Sequence, residues 1–145
     1  MKSSVSTAIV ASSVCLAAVS GWSRNWSPNT PPRELRAEAP SGLTRISGAV
    51  LRGETDHFIF IGKSGQRVSI SITSKEKNAV FQLYLPGYEM APSPSAEIKG
   101  ETLPNAGEMD DATNWSGKLP RSGTYLVVIG PSRGNTNYVL TFRVY

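Results

Sequence analysis

The chain has 145 residues, 15 Lys and Arg against 11 Asp and Glu, a net charge of +4 and a single cysteine. That length fits one domain, and one cysteine excludes a disulfide framework within the chain. The basic residues form no contiguous run and most of the arginines are expected in loops, which excludes a strong nucleic-acid footprint and leaves a weak attraction for acidic partners.

Residues 1–20 read as a secretory signal peptide. Lys2 precedes an apolar and small-residue run over 8–19, and Ala18-Val19-Ser20 offers a small-residue cleavage site. The run is broken by Ser12 and Ser13 and is shorter than the roughly 20 apolar residues a membrane helix needs, so no stable membrane span is expected. Cys15 lies inside it. The processed chain would hold no cysteine, and its fold would rest on a hydrophobic core. Residues 21–42 carry Trp22, Trp26, Pro28, Pro31, Pro32 and Pro40, which exclude a regular helix across most of this stretch and predict an extended linker or N-terminal arm.

Strand patterns begin at residue 43 and continue to 145. Residues 44–50 alternate, residues 56–61 read DHFIFI, and residues 66–73 place Val68, Ile70 and Ile72 on one face against Arg67, Ser69, Ser71 and Thr73 on the other. Residues 63–66, with Gly65, predict a tight turn between the last two. Residues 78–85, NAVFQLYL, form the next strand. Residues 86–112 are rich in Pro, Gly and Ser and hold six acids, Glu89, Glu97, Glu101, Glu108, Asp110 and Asp111; so long a stretch predicts a decorated surface loop or a small element hidden within it. A strand over 113–119 and a turn over 120–123 follow. Residues 124–129 and 138–144 then give two alternating strands, whose simplest reading is a hairpin closed by the loop 130–137. Seven or eight short strands without an amphipathic helix predict an all-β domain, an antiparallel β-sandwich rather than a small barrel.

The order RGETDHFIF, KSGQRVSISITS, NAVFQLYLP, WSGKLPRSGTYLVVIG and RGNTNYVLTFRV resembles the bacterial pre-peptidase C-terminal domain family, and within it the small exported relatives that include the periplasmic inhibitor of goose-type lysozyme. The resemblance spans about residues 44–145. Its most specific pieces are Gly65-Gln66, Trp115-Ser116-Gly117, Leu119-Pro120, Ser122-Gly123-Thr124-Tyr125 and Arg133-Gly134-Asn135. It implies a jelly-roll-like sandwich, exported and non-catalytic, and in the inhibitor branch loops at one end enter the lysozyme cleft. Residues 86–112 depart from the pattern, where a shorter passage is usual.

The chemistry legible in the residues agrees with a binding role. His57 is the sole histidine and neighbours Asp56 on a strand, where consecutive side chains point to opposite faces, so the two are no ready acid–base pair. With no cysteine after residue 15 and one histidine, a zinc site lacks its ligands, and no metal or other cofactor is expected. Glu108, Asp110 and Asp111 could gather oxygen ligands for calcium, but their spacing does not match the twelve-residue calcium loop, and a solvated acidic face is the competing reading. Trp115, Tyr84 and Tyr88 are the aromatics that could bind sugar if exposed as a flat pair. The partner-binding candidates are Ser132, Arg133, Asn135 and Asn137, with Arg133 at the tip of a turn able to make a forked contact with a carboxylate of a glycosidase cleft. Arg121 and Ser122 should lie at the opposite end; Arg52 and residues 64–66 are weaker candidates. The expected partner is a lysozyme or another extracytoplasmic protein. The alternatives are an accessory or structural module, or a carbohydrate-binding module for cell-wall polysaccharide.

Overall fold

The structure, a computed structural model, describes residues 32–91 and 97–145. The expected signal peptide, residues 1–20, and most of the expected arm, with Trp22 and Trp26, lie outside the described residues. Among those described, ten strands form, β1 (Arg33–Glu34), β2 (Leu43–Val50), β3 (Asp56–Gly62), β4 (Arg67–Ser74), β5 (Ala79–Tyr84), β6 (Glu89–Met90), β7 (Ile98–Lys99), β8 (Asn114–Lys118), β9 (Gly123–Pro131) and β10 (Thr136–Val144). No helix among them is long and apolar enough to cross a membrane. The seven longer strands coincide with the seven alternating segments of the sequence.

Two four-stranded sheets pack face to face, the first ordered β1-β3-β9-β5 and the second β2-β10-β4-β8. All pairings are antiparallel except β1 with β3, which is parallel and lets the end of the N-terminal arm extend the first sheet. Leu35, just after β1, is buried in the main core, and its N–H donates to Ile59 O at 2.7 Å. The inner faces follow from period-two alternation. On β4 Val68, Ile70 and Ile72 are buried, on β10 Tyr138, Leu140 and Phe142, and on β3 Phe58 and Phe60. At the centre Phe60 stacks on Tyr125 with ring centroids 5.1 Å apart and meets Phe142 at 5.0 Å, so rings from both sheets lock one layer to the other.

The expected hairpin of 124–129 and 138–144 does not form. β9 pairs with β3 and β5, whereas β10 pairs with β2 and β4. The reason is that both strands offer an apolar face, and placing them in opposite layers lets Tyr125, Val127 and Ile129 meet Leu140 and Phe142 across one core. The same rule runs through the molecule: β2, β3, β4, β5, β8, β9 and β10 alternate between second and first sheet, so each connection crosses from one layer to the other. The turn after β3 is as predicted, with Gln66 N–H donating to Lys63 O at 3.0 Å and Gly65 at φ 84°.

The long segment 86–112 is more than a surface loop. β6 and β7 pair within it and, with Tyr88, Met90 and Ile98, pack on Tyr84, Leu126 and Val128, the outer apolar face of the first sheet. Farther on it closes the free edge of β5, since Phe81 N–H donates to Ala112 O, Leu83 N–H to Ala106 O and Leu103 N–H to Leu83 O, each at 2.9 Å. Leu103, Ala106 and Ala112 enter the main core. Its six acids therefore lie over and beside the first sheet. The expectation that arginines sit mostly in loops is also corrected: Arg45, Arg67 and Arg143 belong to strands of the second sheet.

Candidate functional site

Three connections meet at one end of the sandwich: residues 51–55 between β2 and β3, 75–78 between β4 and β5, and 132–135 between β9 and β10. Thr136 faces Val50 and Ala79 faces Pro131 in the sheet registers, which fixes these loops as neighbours. Asn78 holds them together. Its side chain is buried, and its Nδ2 donates to Arg133 O and to Asn135 O, both at 2.9 Å, while Ser132 N–H donates to Asn78 O at 2.8 Å. Two carbonyl acceptors on Nδ2 set the orientation of the amide, and Oδ1 is left buried with no hydrogen-bond partner among the described residues. Gly134 completes the turn at φ 55°, a left-handed conformation that a side chain would strain.

Three of the four partner-binding candidates, Ser132, Arg133 and Asn135, lie in this region, and all four are exposed. Ser132, Arg133 and Gly134 line a shallow depression with Arg52, Gly53 and Pro131. Arg133 extends along the surface, where its Nη2 donates to Glu76 O at 3.1 Å, and it forms no ion pair among the described residues. Asn135 Oδ1 accepts the Arg52 N–H at 2.9 Å. Asn137 stands apart, on β10, facing outward from the second sheet. Arg52, a weaker candidate from sequence, lies at this end, and the neighbouring Lys75 and Lys77 add charge; the acids nearby are exposed Glu76 and Asp111, with Glu54 half-buried. Leu51, 47% exposed, adds an apolar contact point. The signal that could have found Arg52 was the alternation of strands between layers, which local patterns do not encode.

The turn with Arg121 and Ser122 lies at the far end, as expected, and the turn of residues 64–66 lies beside it. Ser64 N–H donates to Ser122 Oγ at 2.9 Å and Gly65 N–H to Leu119 O at 2.7 Å, while Arg121 pairs with Glu101 at 2.9 Å. The three aromatics do not form a flat exposed pair, Tyr84 being buried and Tyr88 and Trp115 half-buried. Tyr84 is buried with its hydroxyl on Gln82 Oε1 at 2.8 Å, Tyr88 packs in the outer cluster, and Trp115 packs against the core with its Nε1 donating to Pro104 O at 3.2 Å. Among the described residues no group of three or more His, Cys, Asp and Glu could hold a metal ion. Asp110 Oδ2 accepts the Gly107 N–H at 2.7 Å.

His57 and Asp56 diverge along β3. His57 Nε2 lies 3.3 Å from Thr55 Oγ1, whereas Asp56 Oδ2 accepts the Tyr138 hydroxyl and lies 3.7 Å from Arg33. Burial pushes the Tyr138 phenol well above its ordinary pKa, with the Asp56 hydrogen bond and charge adding to the rise. Gly48 leaves the room this tyrosine needs, since a Cβ there would stand 2.4 Å from the hydroxyl. The cluster ties β10 to β3 across the core and is structural.

No protein-family model and no curated protein matches the chain. Solved structures do. A periplasmic lysozyme inhibitor of g-type lysozyme from Aeromonas hydrophila is 21% identical, with a TM-score of 0.58 over 79% of this chain and 96% of that one. The Salmonella Typhimurium inhibitor is 18% identical, with a TM-score of 0.55 over 80% of this chain and 100% of that one. A mutant of the Escherichia coli inhibitor is 17% identical, with a TM-score of 0.54 over 79% and 97%. At these identities the likeness shows a shared fold.

Proposed function

We propose that the protein is an exported, non-catalytic binding domain whose loop end docks into the substrate cleft of an extracytoplasmic glycosidase of the lysozyme type. The observation that carries this reading is the clamp of Asn78 on residues 132–135. It holds the backbone of an exposed loop in one conformation, so little ordering cost remains to be met on binding. Arg133 on that loop is exposed and, among the described residues, unpaired by a carboxylate, ready to make a forked contact with a catalytic acid, and Arg52 and Leu51 flank it. The fold shared with three periplasmic inhibitors of g-type lysozyme supports the same reading, and the apolar leader of residues 1–20 supports export.

The test is turnover of a peptidoglycan substrate by g-type lysozyme in the presence of micromolar purified protein. Inhibition is expected, and Arg133→Ala should weaken it by about tenfold or more, as for loss of a charged contact at an interface, with an unchanged thermal midpoint. Unchanged turnover with the unmodified protein, or full inhibition by the variant, would sink the proposal.

A further inference from the structure

The four strands of the second sheet contain no Asp or Glu, and each contributes one cation: Arg45 on β2, Arg143 on β10, Arg67 on β4 and Lys118 on β8. All four are exposed and none takes part in an ion pair among the described residues. Their side chains share the outward face, because the alternate positions Ile46, Phe142, Val68 and Gly117 point to the core side. Register sets them in one band. Arg67 faces Lys118 directly, Arg143 faces Ser69 and so lies diagonal to Arg67, and Arg45 faces Thr141 and so lies diagonal to Arg143. Diagonal neighbours of this kind lie about 7–8 Å apart.

Two like charges placed directly opposite destabilise a sheet, and no acid on the four strands offsets the Arg67 and Lys118 pair. The acids of the molecule lie elsewhere, six of them in the segment that covers the first sheet. Between the cations the surface is hydroxyl-rich, with Ser69, Ser71, Ser116 and Thr141. Apolar and aromatic anchors are few. Val139 is 37% exposed, half-buried Trp115 packs on the core, and the exposed aromatic is Tyr145, 63% exposed just past β10, with the Arg143 guanidinium 4.7 Å from its ring centre. A protein partner would need buried aromatic or aliphatic anchors, and single-stranded nucleic acid would need stacking platforms.

We infer that the outward face of the β2-β10-β4-β8 sheet binds an anionic polysaccharide, its carboxylate, sulfate or phosphate groups meeting the four cations and its hydroxyls meeting the serines and threonine between them. This surface is separate from the loop end and does not rest on the glycosidase reading.

The experiment is titration calorimetry of the purified protein with polygalacturonate and heparin, against neutral dextran of similar length and vesicles containing phosphatidylglycerol. Binding to the two anionic polymers is expected, with none to dextran, and a roughly tenfold or greater weakening between 50 and 200 mM salt as counterion release demands. The triple variant R45S/R67S/R143S should lose at least about tenfold in affinity at an unchanged thermal midpoint, while Arg52→Ser at the loop end should bind as before. Equal binding of dextran, binding confined to vesicles, an unaffected triple variant or an equal loss in Arg52→Ser would each overturn the inference. Because the triple variant keeps Arg133, its lysozyme inhibition separates failure of this proposal from failure of the other.

Discussion

At the scale of single residues, the half-buried His57 on β3 links folding to pH. Burial depresses its pKa because desolvation penalises the imidazolium, and the Asp56 charge opposes that only in part. In the unfolded chain the ring titrates near its ordinary value of about 6.5. With the folded value below this, the unfolded state binds more protons across the window between the two, so stability present above about pH 6.5 is lost as pH falls through the folded pKa. The thermal midpoint should therefore drop on going from neutral to mildly acidic pH, and His57→Gln should flatten that part of the profile. A midpoint that rises on acidification over this window would contradict the argument.

At the scale of elements, the segment 86–112 is a structural cover for the first sheet. β9 is buried on both sides, with Tyr125, Val127 and Ile129 toward the main core and Leu126 and Val128 under β6 and β7. Replacing residues 87–100 by a short Gly-Ser link should expose Leu126 and Val128, at about 3–6 kcal/mol for two aliphatic side chains returned to water. Urea unfolding would show the loss, and binding of a hydrophobic dye would report the uncovered face; unchanged stability without dye binding would contradict it. The sequence makes much of this fold legible. Alternation over Val68, Ile70 and Ile72 identifies a strand and its buried face whatever lies beside it. Alternation does not name the neighbour, which is why the apparent hairpin of β9 and β10 reads plausibly and is wrong. The two-residue strands β6 and β7 are too short for any periodicity, yet Leu126 and Val128 between the inward residues of β9 mark a strand with two covered faces. For the candidate site, the turn residues around Arg133 are legible because Pro131, Gly134 and the asparagines are local signals. The Asn78 clamp is not, because its partners lie 55 and 57 residues away.

At the scale of the whole molecule, the alternation of long strands between layers makes nearly every pairing distant in sequence. β10 joins β2 by Thr136 facing Val50, and β9 joins β3 by Gly62 facing Gly123. Closing such loops costs chain entropy before any contact repays it, so refolding should take milliseconds to seconds, roughly as for other sandwiches, in contrast to the microseconds of helical bundles. Stopped-flow refolding from urea checks this, and complete refolding within microseconds would contradict it. The four cations of the second sheet have a consequence for that search. Side chains repeat with a period of two, so a one-residue slip of any of its strands would swing a guanidinium or an ammonium into the layer occupied by Ile70, Leu140 and Phe142. One charge on each strand thus acts as a proofreading mark against odd-numbered slips, because each of those would carry a charge out of water.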